Sequence, residues 1–183
     1  MSSFQRMQHY LCGGYSNRGF SIVELVVVIA IISTLLGIVS INFHSWQRKS
    51  QIDRQTRELH TDINTARLTA VHTKRRQSIV LNPNSYTLKN YSSEGEDILA
   101  GTVLQTRQVS YQMTRGLSTA FSNSHYEFDT RGFVTRTNSG GITSGSFGVT
   151  IVVNPVDSGG NDCIVLSEGR TNMGKMSSGT CAY

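Results

Sequence analysis

Residues 20–39 form an apolar run broken by one charge, Glu24, four residues after its first member. Twenty helical residues rise about 30 Å, close to the thickness of a bilayer's hydrocarbon core. A carboxylate at that depth costs on the order of 2.5–3.5 kcal/mol, so Glu24 should have a partner. Arg6 and Arg18 precede the run, and positive residues stay on the cytoplasmic side. Arg48 and Lys49 follow it, so charge alone does not fix the orientation. No small-residue cleavage site follows the run, which argues against ordinary signal-peptide removal.

The block Arg18-Gly19-Phe20-Ser21-Ile22-Val23-Glu24-Leu25, leading into that run, resembles the type III signal of type IV pilins and type II secretion pseudopilins. The resemblance implies that a prepilin peptidase cuts after Gly19 and that Phe20 becomes the N-methylated first residue. It also implies that Glu24 meets the N-terminal amine of a neighbouring subunit. A buried cation then offsets a buried anion, and the pair favours one axial register between subunits. The family's leader is cytoplasmic, which sets the topology. The expected location is the bacterial inner membrane, single-pass, with a periplasmic C-terminal domain, and from there a cell-surface pilus or periplasmic pseudopilus. The family's proline near Ile41, where the helix can loosen, is absent here. Pro83 and Pro155 are the chain's two prolines, and Gly37 is the one weak point, costing about 1 kcal/mol relative to alanine.

Cleavage after Gly19 removes two of 17 basic residues and leaves 164 of 183 residues, with 15 basic against 12 acidic side chains. The resulting +3, or +4 without Glu24, is moderately basic and compatible with polyanion contact. With 17 glycines and 16% charged residues, the composition suits a globular domain with many turns. Of the three cysteines, Cys12 would leave with the leader. Cys163 and Cys181 remain as an even pair in an oxidising compartment, which reads as a disulfide closing a loop of about 18 residues. Two free thiols or a metal pair are the alternatives, although a metal would need further ligands and none sits nearby at suitable spacing.

Between His44 and Arg76 there is neither proline nor glycine, and Ile52, Leu59, Ile63, Ala66 and Ala70 recur with the period of a one-faced helix. One helix is therefore expected from Phe20 to about Arg76, roughly 85 Å long. Its first half is apolar all round and its second half carries a stripe for packing. After Arg76 the pattern turns to strands. Ser78–Leu81 and Tyr86–Leu88 flank turn residues and predict a hairpin. Val103-Leu104 and Val109–Tyr111 suggest short strands; His125–Phe128 and Phe133–Thr135 flank Asp129–Gly132 as a second hairpin. Asn138–Gly148 reads as a mobile loop, with further strands over Phe147–Val153 and Cys163–Leu166. The expected fold is α+β and pilin-like: a long, partly transmembrane N-terminal helix packed on an antiparallel β domain. Its divisions are a leader over 1–19, an assembly half of the helix over 20–43, an amphipathic half over 44–76 and a β domain over 77–183.

Phe128-Asp129-Thr130-Arg131-Gly132-Phe133-Val134 and Ile164-Val165-Leu166-Ser167-Glu168-Gly169-Arg170 are similar to recurrent segments of the GspH/FimT/FimU group. That resemblance implies a minor pilin supporting pilus assembly, or a minor pseudopilin of a type II secretion system. Its partners would be prepilin peptidase, other major and minor pilins or pseudopilins, and the inner membrane. Some FimT-like members implicated in DNA uptake carry Gly-Arg-x-Arg near this point, so a DNA-binding subunit is a reading of another class. Here Asn172 stands where the second arginine would be, leaving Arg170 and Lys175 as candidate contacts. Lys74, Arg75 and Arg76 form the densest positive cluster. They could extend such a face or simply complement a helix C-terminus.

Nothing points to catalysis. His9, His44, His60, His72 and His125 show no metal-binding spacing, and there is no nucleophile elbow. Glu94, Glu96 and Asp97 read as solvating a polar loop. No cofactor, metal or enzymatic activity is expected.

Overall fold

A computed structural model describes residues 19–93, 95–136, 148–156 and 160–183, apart from the side chains of 38–42, 135 and 136. The leader with Cys12 and His9, the bulk of the 138–148 loop, Glu94, Phe147 and Gly159 lie outside the described residues. The chain forms two compact units, 1–42 and 43–183. Helix α1 covers Ile22–Thr73. Among the described residues it is followed by strands β1 (Gln77–Leu81), β2 (Ser85–Asn90), β3 (Thr102–Gln108), β4 (Met113–Arg115), β5 (Thr119–Ala120) and β6 (Ser124–Phe128). Then come β7 (Val134–Arg136), β8 (Gly148–Val153), β9 (Cys163–Ser167), β10 (Thr171–Ser177) and β11 (Thr180–Ala182).

Two antiparallel sheets result, ordered β3-β2-β1-β6-β7 and β11-β10-β9-β8-β4-β5. The five residues whose spacing predicted a helical stripe are all buried, none more than 5% exposed. Four of them, Leu59, Ile63, Ala66 and Ala70, enter one core with Ile79 and Leu81 of β1, Tyr126 and Phe128 of β6, and Ile151, Ile164 and Leu166 of the second sheet. The fold is α+β, a long N-terminal helix whose second part packs on antiparallel sheets.

Several expected boundaries shift for local reasons. The helix ends at Thr73 because Lys74 takes a left-handed conformation, with φ of 54°. Instead of separate short strands at 103–104 and 109–111, β3 runs unbroken over Thr102–Gln108. The stretch at 109–111 is a loop tied to the helix: Gln55 donates to the Tyr111 carbonyl at 2.7 Å and accepts from its N–H at 3.0 Å. Strands β4, β5, β10 and β11 are short or broken by polar residues and glycine, and no alternation in the sequence announces them.

The core carries polar groups whose partners must be met internally. Arg76 is 7% exposed and forms an ion pair with the buried Glu127. The same guanidinium donates to the carbonyls of Ser93 (3.0 Å) and Glu96 (2.7 Å) and lies 4.8 Å from the Tyr91 ring centre. Burial depresses the pKa of His125, and Lys89 depresses it further. Burial also raises the Tyr86 hydroxyl, helped by its bond to Asp62 at 2.7 Å. Breaking a buried pair from one side strands the other charge, at about 3–5 kcal/mol. Glu127→Gln is therefore expected to destabilise the β domain by about 3 kcal/mol, near the low end because the amide keeps one acceptor. Denaturant unfolding followed by near-ultraviolet circular dichroism would check this; a loss below about 1 kcal/mol would contradict it.

Candidate assembly segment and basic surface

The first candidate site is the start of α1. Ser21 acts as its cap: the Ser21 carbonyl accepts from Leu25 N–H at 3.1 Å, and its hydroxyl accepts from Val23 N–H at 3.4 Å. Glu24 falls in the first helical turn, where the positive end of the helix dipole favours a carboxylate. Gly19, Phe20 and Glu24 are exposed, and so is every residue from Gly19 to Gly37. Phe20 is 78% exposed and Ile22 81%. Within this first unit the segment has no buried face. Its few hydroxyls turn back on the helix, Ser33 donating to the Ile29 carbonyl at 2.7 Å and Thr34 to that of Ile31 at 2.8 Å. Such bonds hide polar groups from apolar surroundings. Among the described residues no helix is long and apolar enough to cross a membrane. The expected span, Phe20–Val39, continues through positions 38 and 39, whose side chains are not among those described.

The second candidate is the basic surface, which the fold divides. Lys74 and Arg75 are exposed beyond the helix end. Arg76, two residues on, is turned into the core and held by Glu127, so it supports the fold and presents no charge to solvent. Arg170 lies exposed in the β9–β10 turn, closed by Ser167 N–H bonding the Arg170 carbonyl at 2.8 Å. Lys175 is exposed on β10. Five residues of strand separate it from Arg170 by about 16 Å, so the two do not form one cluster.

Three connections converge near Arg170. Arg67 on α1 donates to the Ser167 carbonyl at 3.4 Å and covers the Phe128 ring at 5.5 Å. Burial depresses its pKa. The Phe-Asp-x-x-Gly run has a physical account here. Phe128 is core, and the Asp129 carboxylate accepts from the N–H groups of Arg131 (2.9 Å) and Phe133 (2.8 Å). Burial pushes Asp129 up, but these bonds and Arg131 outweigh it and hold its pKa below the usual range. Gly132 has φ of 86°, and a Cβ there would press on Val71 and Arg67. Arg67 and Arg131 escaped the sequence reading. In the sequence the glycine turn beside Phe133 reads only as a hairpin; the fold is what brings α1, β6–β7 and β9–β10 together here.

Cys163 and Cys181 are disulfide-bonded, with Cα atoms 6.0 Å apart, joining β9 to β11 across β10. Gly174 pairs with Cys163 on the intervening strand, and a Cβ there would collide with the Ala182 carbonyl. An open groove of about 470 Å³ runs between α1 and the end of β3. Several of its polar groups are already paired, Arg107 with Glu58 and Asp62, and Gln55 with the Tyr111 backbone. Among the described residues no group of His, Cys, Asp and Glu could hold a metal ion.

Residues 15–40 match the model of the prokaryotic N-terminal methylation motif. This motif supports a type IV pilin-like or pseudopilin protein, which is a membrane-anchored structural subunit that a prepilin peptidase processes and that assembles with other pilins. No curated protein matches the chain, and no solved structure does.

The disulfide closes an 18-residue separation, worth about 3 kcal/mol in the chain-entropy model. Cys163→Ser with Cys181→Ser is expected to cost about that much stability while leaving helix content unchanged, measured by denaturant titration under non-reducing conditions. No change in the unfolding midpoint would show that β9 and β11 hold together unaided.

Proposed function

We propose that the chain is a minor subunit of a type IV pilus, of the FimT/FimU kind. It is made as a prepilin, cut after Gly19 by prepilin peptidase, methylated at Phe20 and held in the inner membrane until it joins the filament. The observation that carries this reading is the contrast along one helix. From Ile22 to Gly37 its large apolar residues are all exposed, and from Ile52 onward an apolar stripe is buried in the β domain. An exposed apolar segment is suited to lipid first and to the helices of other subunits later. In that setting Glu24 supplies the anion for a neighbour's N-terminal amine. A type II secretion pseudopilin of the GspH kind would use the same segment, and the modest basic charge favours the pilus. The work of such a subunit is scaffolding in support of pilus biogenesis.

Glu24→Ala should leave insertion and processing intact, because the helix becomes more apolar, and should reduce incorporation into filaments. Mass spectrometry of the membrane form should give a chain beginning at methylated Phe20, and sheared filaments should contain less of the variant. A membrane form beginning at Ser2, or wild-type incorporation of the variant, would contradict this.

A second reading, DNA contact, is favoured by the exposure of Arg170, Lys175, Lys74 and Arg75, none of which forms an ion pair among the described residues. Affinity from such scattered cations would be non-specific, about 10⁻⁴–10⁻⁶ M, and would fall steeply with salt. Arg170→Gln should weaken binding to all duplex sequences alike, measured by fluorescence anisotropy at low salt. No anisotropy change with the parent protein would leave the scaffold role alone.

A further inference from the structure

The segment between the apolar run and the buried stripe has a composition of its own. Residues 43–51 of α1 are all exposed, and Ile52 is the first helical residue after them to be buried. Within it Phe43 and Trp46 sit one turn apart with ring centres 6.1 Å from each other, 52% and 64% exposed. Large aromatic groups are rarely left so open without a partner surface. Arg48 and Lys49 follow directly, exposed, and neither forms an ion pair among the described residues. Phe43, Trp46 and Lys49 step by three and share one side of the helix, while Arg48 lies about 100° round from Lys49, so cationic charge extends beyond the aromatic side.

We infer that Phe43, Trp46, Arg48 and Lys49 form a collar that seats the chain at the membrane surface, aromatic rings at headgroup depth and cations on lipid phosphates. The inference rests on the proposed anchoring of the apolar run in the inner membrane. Tryptophan is favoured at that depth because its ring is apolar on its faces and its N–H still finds a polar partner. Arginine and lysine keep their stems along the apolar zone and place their charges among phosphates. Trp46 follows Val39, the last residue of the run, by seven positions, or about two helical turns. The occupant is the lipid surface on the β-domain side, since the collar continues directly from the segment that lipid would cover.

Trp46 is the chain's one tryptophan, so its fluorescence reports this position alone. The mature full-length chain would be reconstituted into vesicles of phosphatidylethanolamine with a minority of phosphatidylglycerol, and flotation would be measured first. A chain that does not float would refute the anchoring itself, and the collar with it. In floated vesicles the expected result is blue-shifted emission, quenched most by lipids brominated near the headgroup and little by aqueous acrylamide. Brominated phosphatidylglycerol should quench more strongly per mole than brominated phosphatidylcholine, by up to about five-fold for each cation. In Arg48→Gln with Lys49→Gln that ratio should fall to one. Water-like emission open to acrylamide, strongest quenching from the bilayer centre, or a ratio of one in the parent chain would overturn the collar. An indole wet in vesicles and shielded only in filaments would assign the pair to subunit packing instead.

Discussion

The buried stripe of α1 is the contact on which the β domain depends. Leu59, Ile63, Ala66 and Ala70 touch a core to which both sheets contribute, and the sheets have short edges of their own. Gly132, without a Cβ, leaves room for Val71 and Arg67 of the helix. Both sheets turn an apolar face that needs cover, and packing against a helix supplies it. The helix supplies the apolar surface they close upon, and with four residues it contributes more to the shared core than any one strand.

The same helix then meets a second requirement. From Gly19 to Gly37 its residues are exposed, and the Ser33 and Thr34 hydroxyls donate to the helix's own carbonyls. One secondary-structure element thus carries two compositions, suited to two environments. The methylation motif at residues 15–40 falls on the first of them.

Much of this was legible in the sequence because helices announce themselves by period. The spacing of Ile52, Leu59, Ile63, Ala66 and Ala70 needed no tertiary information, and the Asn82-Pro83-Asn84 turn marked the β1–β2 hairpin. The β4–β5 and β10–β11 hairpins were not legible, since their strands are too short to alternate and Gly174 interrupts one of them. The helix end was misjudged by three residues, because Lys74 can end a helix in a left-handed conformation but its side chain gives no sign of it. The basic surface was only half legible. A run of Lys74, Arg75 and Arg76 looks uniform, and only the fold reveals that Glu127 takes the third charge inward.

That buried charge has a consequence for how the domain comes together. Arg76 and Glu127 are 51 positions apart, and they meet because β1 lies beside β6 with Gln77 opposite Phe128. Two hairpins and the long excursion through Tyr91 to Gly101 lie between them in the chain, so that pairing closes across distant segments. Until it does, Arg76 has no anion to accept its charge and is better left in water. The end of the helix and the first sheet are therefore coupled through one buried pair, and a change that frees either partner is felt by both.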